Sequence, residues 1–64
     1  MKTFESIQPF GLFKLHHDPD TLYQKVPEEK RCGKLSNALE VQHTLRYDVV
    51  WAYIDKEHPV VECV

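Results

Sequence analysis

The chain has 64 residues, 42% of them hydrophobic, and carries 8 Lys and Arg against 10 Asp and Glu, for a net charge of −2. This length predicts one small domain covering residues 1–64. The acidic balance argues against a nucleic-acid surface, and no apolar run approaches the roughly 20 residues of a membrane-spanning helix. The first residues lack the apolar centre of a signal peptide, so we expect a cytoplasmic protein without membrane contact.

Stability sets a second limit. In so short a chain, the free energy gained by burying apolar surface, about 25 cal/mol per Å², is nearly cancelled by the entropy cost of ordering the chain, about 1.5 kcal/mol per residue. A monomer should therefore be marginally stable, and burial against a partner or a second copy would stabilise it.

The first half of the chain predicts a hairpin. Residues 11–16 alternate apolar and polar side chains, and residues 22–26 resume an extended pattern, so residues 10–26 read as two strands joined by a loop at 17–21. A helix that starts at Asp18 and Pro19 and runs to Lys25 is the alternative, because Asp is a good N-cap and Pro suits the first helical position. A short additional strand is predicted at residues 3–7.

The middle of the chain begins with a predicted polar loop. It covers residues 28–36 and turns at Gly33. Residues 37–41 then favour a strand, in which Leu39 and Val41 share a face. A short helix near residues 35–46 is the alternative, because Ser36 is a suitable cap and apolar side chains recur at roughly helical spacing.

The last third carries the clearest strand, residues 47–54, which is β-branched and aromatic and apolar on both faces. A turn at 56–59 and a final strand at 60–64 follow. With five short strands and one additional candidate, the sequence predicts a mainly β fold, a small antiparallel five- to six-stranded barrel or bent sheet of SH3-like type.

Several short patterns spread along the chain support this fold. They are Phe4…Ile7, Gly11-Leu12-Phe13, Leu22-Tyr23-Gln24-Lys25-Val26, Ser36-Asn37-Ala38-Leu39 and Asp55…Val60-Val61. Together they resemble a group of small uncharacterised domains of cyanobacterial and phage-related sequences. The resemblance implies a compact β-barrel and carries no known catalytic residues. The chain departs from the pattern at residues 42–45, where those domains often place a glycine turn.

Metal binding and catalysis find little support in the sequence. Zinc sites use closely spaced Cys and His pairs, and Cys32, His43, His58 and Cys63 do not have that spacing. Cys32 lies among cations, which favour a thiolate, but a domain of this size encloses little of a pocket. We expect reduced thiols, no metal, no cofactor and no enzymatic activity.

Protein contact is the function that the sequence favours. A strand that is apolar on both faces exceeds what 64 residues can cover, and Trp and Tyr concentrate at interfaces. We therefore expect a protein-binding accessory, adaptor or inhibitor module, regulatory in character, that acts through this sheet face or an open edge, as a homodimer or within a complex. The predicted contact residues are Tyr47, Val49, Val50, Trp51, Tyr53 and Ile54. A lone Trp in a small protein is most often a core residue, and in that case the face of Val50, Ala52 and Ile54 is the exposed one.

Two other functions remain as alternatives. One is a nucleic-acid-associated regulator, since basic and aromatic side chains occur together in the first hairpin and the loop after it. Its predicted residues are Lys14, Tyr23, Lys25, Lys30, Arg31 and Lys34. The other is a small metal- or thiol-dependent module built on Cys32 and Cys63.

Overall fold

Six strands form a single antiparallel sheet in the structure, a computed structural model that describes residues 2–41 and 50–63. The strands are β1 (Lys2–Thr3), β2 (Leu12–Leu15), β3 (Asp18–Arg31), β4 (Lys34–Val41), β5 (Trp51–Ala52) and β6 (Pro59–Cys63). A 3-10 turn at Phe4–Ser6 follows β1 where the sequence predicts a continuous strand over 3–7. The predicted mainly β fold class is confirmed.

The sheet has the order β1-β6-β2-β3-β4-β5. Strands β2 to β5 follow one another as a meander, and β6 returns to pair with the free side of β2. Among the described residues, β1 and β5 are the two edges and do not pair with each other. The sheet is therefore open, which fits the bent-sheet form of the prediction and not the closed barrel. No helix in the described ranges has the length and apolar character needed to cross a membrane.

The core lies on one face of this sheet and is centred on Phe13, whose side chain is completely buried. Its ring meets Phe4 edge-on at 5.3 Å between centroids and stacks on Tyr23 at 5.6 Å. These contacts follow from register, because Phe13 on β2 lies directly opposite Tyr23 on β3 and so shares its face. Within residues 2–41 and 50–63, the buried hydrophobic residues are Phe4, Ile7, Phe13, Leu15, Ala38, Ile54 and Val60.

The first hairpin is present, but its turn differs from the prediction. Leu15 pairs directly with Asp18, so a two-residue turn replaces the five-residue loop. Residues 19–21, read as loop from their Pro and Asp content, belong to β3. The register shifts within this segment, and Pro lacks the N–H that a regular ladder position needs, so an irregular stretch accommodates it. The alternative helix from Asp18 to Lys25 is wrong.

The predicted polar loop at 28–36 is also a hairpin. Arg31 pairs with Lys34, and the turn residues Cys32 and Gly33 have φ of 52° and 78°. Two successive positive φ values are typical of a type I′ turn, which matches the twist of paired strands. The turning point at Gly33 is confirmed. Residues 35–41 are strand, so the helical alternative is wrong there, and 42–46 lie outside the described residues.

A second irregularity lets this hairpin extend past its neighbours. Lys25 pairs with Ala38, but the next pair is Glu29 with Ser36, so β3 carries two more residues than β4 across this stretch. Pro27 lies inside it. Beyond this point β3 pairs only with β4 among the described residues, and residues 28–36 form a two-stranded tip. We call this segment the hairpin tip.

The last third agrees with the prediction in part. Within 50–63, strand structure covers Trp51–Ala52, a turn occupies 56–57 and β6 covers Pro59–Cys63. Residues 47–49 of the predicted strand and Val64 lie outside the described residues. The final turn and the final strand are confirmed, whereas residues 53–54 leave the strand conformation.

Candidate functional site

Four large apolar side chains are exposed close together on one side of the molecule. Val50 is 37% exposed, Trp51 41%, Leu35 48% and Tyr53 50%. They share a concave pocket of about 550 Å³ between the hairpin tip and the segment around β5. We call it the Trp51 pocket. The described residues that line it are Arg31, Cys32, Lys34, Leu35, Ser36, Val50, Trp51 and Tyr53.

The pairing of β4 with β5 explains why Trp51 is at the surface. Ala38 lies opposite Ala52, and Ala38 is fully buried in the core. Successive side chains of a strand point to opposite faces, so Trp51, opposite Leu39, faces away from the core. The exposure of this aromatic side chain is therefore a consequence of the register.

Arg31 covers the exposed indole. Its guanidinium lies 4.0 Å from the centroid of the Trp51 ring, in cation–π geometry. The same group forms an ion pair with Glu29, 2.9 Å to Oε2, and donates a hydrogen bond to the hydroxyl oxygen of Ser36. Three contacts therefore fix the orientation of one side chain that also lines the pocket.

Asn37 holds the segment that carries Tyr53. Its side-chain amide donates to the carbonyl of Ile54 and accepts from the Ile54 N–H, both at 2.8 Å. This pair replaces the ladder bonds that β5 stops supplying after Ala52. Ile54 is only 8% exposed and lies in the core, so its prediction as a contact residue is wrong. Tyr53, its neighbour, remains outside.

A second pocket, of about 630 Å³, also adjoins Tyr53. Phe4 and Ile54 line it together with Pro9 and Pro27. We call it the Phe4 pocket. The rest of its lining consists of Glu5, Lys25, Val26, Glu28, Asn37, Tyr53, Asp55 and Lys56. Tyr53 therefore lines both pockets.

Lys25 has a structural environment that the sequence did not predict. Its ammonium donates to the carbonyls of Phe4, Glu5 and Ile7 at 3.2, 3.3 and 2.8 Å, and lies 4.8 Å from the centroid of the Phe4 ring. It thereby binds two carbonyls of the 3-10 turn and the carbonyl of Ile7 just after it. These contacts occupy the ammonium group that the nucleic-acid alternative assigns to phosphate.

The other predicted nucleic-acid residues do not form one surface. Tyr23 stacks on Phe13 in the sheet, and burial, followed by the nearby carboxylates of Glu40 and Asp18, raises its pKa above 10.0. Lys14 lies on β2 opposite Val61. The remaining three are on the hairpin tip, where Arg31 and Lys34 line the Trp51 pocket and Lys30 pairs with Leu35.

The cysteines and histidines do not gather into a metal site in the described ranges, where no cluster of three metal-binding side chains occurs. Cys32 and Cys63 are free thiols, Cys32 exposed and Cys63 half-buried. His17 and His58 meet edge-on with centroids 5.3 Å apart. Tyr47 and Val49, predicted as contact residues, and His43 lie outside the described residues.

Sequence reasoning missed the two features that give the site its geometry. The stack of Arg31 on Trp51 joins residues 20 positions apart through the register of three strands. The bonds between Asn37 and Ile54 span 17 positions. A polar amide between Ser36 and Ala38, inside a strand pattern, is the one signal that pointed to the second feature.

Comparisons with known proteins add no family to this geometry. No protein-family model, curated protein or solved structure matches the chain.

Proposed function

We propose that the chain is a non-enzymatic protein-binding module, an accessory, adaptor or inhibitor, whose contact surface is the Trp51 pocket. The observation that carries the proposal is the fixed guanidinium of Arg31 over an indole that is 41% exposed. Trp, Tyr and Arg are the residues most enriched at the energetic centres of protein interfaces. All three side-chain types line this one pocket, with Tyr53 as the third.

Side chains of the Trp51 pocket are already fixed in the free protein, which favours high affinity for a partner. Binding costs about 0.5–1.5 kcal/mol for each flexible side chain that a complex must immobilise. Arg31 is already held by Glu29, Ser36 and Trp51, and the bonds between Asn37 and Ile54 fix the backbone beside Tyr53. Much of the ordering therefore precedes contact with a partner.

The partner is a second protein or a second copy of the chain. Either one would bury Leu35, Val50, Trp51 and Tyr53, which are 37–50% exposed. Such burial stabilises a domain of only 64 residues, for which folding alone leaves a small margin.

Capture of partners from a lysate of the source organism tests the proposal. The tagged chain should retain a stoichiometric protein, or itself, and Trp51→Ala or Val50→Asp should remove it. Val61→Ala is the matched control, because Val61 is 47% exposed and lies on β6, with three strands between β6 and β5. Sedimentation at several concentrations identifies self-association. A monomer whose captured partners survive both pocket variants would overturn the proposal.

Single-stranded nucleic acid is the second candidate. It is favoured by the position of Arg31 and Lys34 beside Trp51 and Tyr53, since such proteins combine stacking aromatic rings with cations. The net charge of −2 opposes it. Trp51 is the only tryptophan, so its fluorescence reports stacking directly. Quenching by an oligonucleotide that weakens steeply with salt would support this candidate, and no quenching at low salt would exclude it.

A further inference from the structure

The Trp51 pocket and the Phe4 pocket adjoin at a shared side chain, and we call the two together the groove. Tyr53 lines both and is itself 50% exposed. A single side chain therefore forms the ridge between two concavities of about 550 and 630 Å³. Because Asn37 fixes the backbone at Ile54, the ridge has a rigid base.

The two halves differ in charge. Glu5, Glu28 and Asp55 line the Phe4 pocket, against the ammonium groups of Lys25 and Lys56. Three carboxylates against two ammonium groups leave these lining residues with a formal charge of −1, so the electrostatic potential at this end is acidic.

The Trp51 pocket has the opposite character. Among the described residues, its charged lining consists of Arg31 and Lys34, with no carboxylate. Glu29 pairs with Arg31 at 2.9 Å, whereas Lys34 has no ion pair within residues 2–41 and 50–63. A groove with an acidic end and a basic end selects the orientation of what binds it, because complementary charges favour one direction and repel the other.

We infer that this groove binds a linear segment of a partner protein that crosses Tyr53, places one apolar side chain in each pocket, and carries a basic residue at the Phe4 end and an acidic residue at the Trp51 end. This inference rests on the proposed function and specifies the partner. A linear segment fits because its successive side chains can enter both concavities on either side of a single ridge.

Selection of random linear peptides displayed on phage against the full chain tests the inference. Enriched sequences should carry two apolar anchors with a basic residue near one and an acidic residue near the other. Tyr53→Ala, at the ridge, and Trp51→Ala, in one pocket, should both weaken binding of a synthesised enriched peptide. Exchange of charge at either end should weaken it by up to about fivefold, the limit expected for an exposed ion pair.

Charge rescue identifies each end. Lys34→Glu should restore binding to a peptide whose acidic residue is replaced by lysine, and Glu28→Lys should restore binding to one whose basic residue is replaced by glutamate. Lys14→Glu and Asp20→Lys make the same changes in net charge outside both pockets and should rescue neither peptide.

The contrary outcomes separate this inference from the proposed function. Peptides that need Trp51 but ignore Tyr53→Ala and Glu28→Lys would overturn the two-ended groove and leave the protein-binding proposal standing. Peptides that bind both Trp51→Ala and Tyr53→Ala as well as the original chain would overturn both. A selection that enriches no sequence would overturn the linear segment, and the capture experiment then decides the proposed function alone.

Discussion

Asn37 and Ile54 form a reciprocal pair, in which one side-chain amide donates to and accepts from the backbone of a residue 17 positions away, both bonds at 2.8 Å. An amide side chain has the donor and acceptor of a peptide group, so it extends the sheet where β5 ends. Asn37 is 6% exposed and Ile54 8%, so water cannot easily replace either bond.

Replacement of Asn37 should therefore cost considerable stability. Asn37→Ala leaves the N–H and the carbonyl of Ile54 buried without partners, and we expect a loss of about 2–4 kcal/mol in the free energy of unfolding. Urea denaturation followed by circular dichroism measures it. Gln24→Ala is the matched control, since its amide makes one exposed bond, 3.1 Å to the carbonyl of Phe10, and should cost less than about 1 kcal/mol. Equal losses in the two variants would contradict the structural role of the pair.

Lys25 should stabilise the fold through its backbone contacts. Lys25→Met keeps the length of the side chain and removes three hydrogen bonds to carbonyls in and just after the 3-10 turn, so we expect a loss of about 1–3 kcal/mol. Thermal unfolding of the two proteins provides the measurement. Lys30→Met makes the same chemical change at an exposed position of the hairpin tip and should leave stability nearly unchanged. A Lys25→Met protein as stable as the original would show that the three bonds contribute nothing.

The turn at Cys32 and Gly33 has two residues in the left-handed backbone region, and a substitution at each should change stability in the opposite direction. A Cβ at Gly33 would meet no atom within 4 Å, but φ is 78°, so Gly33→Ala should cost about 1–2 kcal/mol from conformation alone. At Cys32, φ is 52°, and Asn tolerates this backbone region better than Cys does. Cys32→Asn should therefore raise the free energy of unfolding by up to about 1 kcal/mol. Chemical denaturation of each variant gives both values. Opposite signs are expected, and stabilisation by Gly33→Ala would be incompatible with a type I′ turn.

Tyr23 should make the fold sensitive to alkaline pH. Its folded pKa lies above 10.0, chiefly because burial disfavours the phenolate, with smaller contributions from Glu40 and Asp18. The folded state then holds the proton more tightly than the unfolded state. The corresponding stability is complete below pH 10.0 and is lost as pH rises from there through the folded pKa.

Stability measured across this range tests the sign. The free energy of unfolding should fall above pH 10.0 in the original chain and fall less in Tyr23→Phe, which has no phenol at this position. Tyr53→Phe is the control, since Tyr53 is 50% exposed. A steeper fall in Tyr23→Phe than in the original chain would reverse the expected linkage.

The sequence predicted the architecture where side-chain pattern and burial agree. One example is the last strand, where a short β-branched run begins after Pro59. This run predicts a strand, and its first valine, Val60, is buried in the core. The strand structure of the hairpin tip was not predicted, because its residues show no pattern of buried and exposed side chains. Residues 28–31 are exposed or nearly so on both faces, and a ribbon that buries neither face needs no apolar alternation.

The same limit applies to the site. The sequence allowed two possibilities for Trp51 and Tyr53, because either face of the predicted strand at 47–54 could be the one that the small chain covers. Their exposure was one of these two possibilities. The position of Arg31 was not, since it depends on two extra residues in β3 around Pro27, which set where the tip lies relative to β5. Local sequence does not specify such a register.

The tight connection between β3 and β4 also has a kinetic consequence. These strands join through two residues, whereas β2 and β6 pair positions such as Leu12 and Cys63, 51 residues apart. Local pairing closes first, because long loops cost more entropy before their contacts form. We therefore expect Arg31 to be placed early during folding and the indole of Trp51 to arrive later, so that tryptophan fluorescence in a stopped-flow refolding experiment reports the assembly of the site rather than the first collapse of the chain.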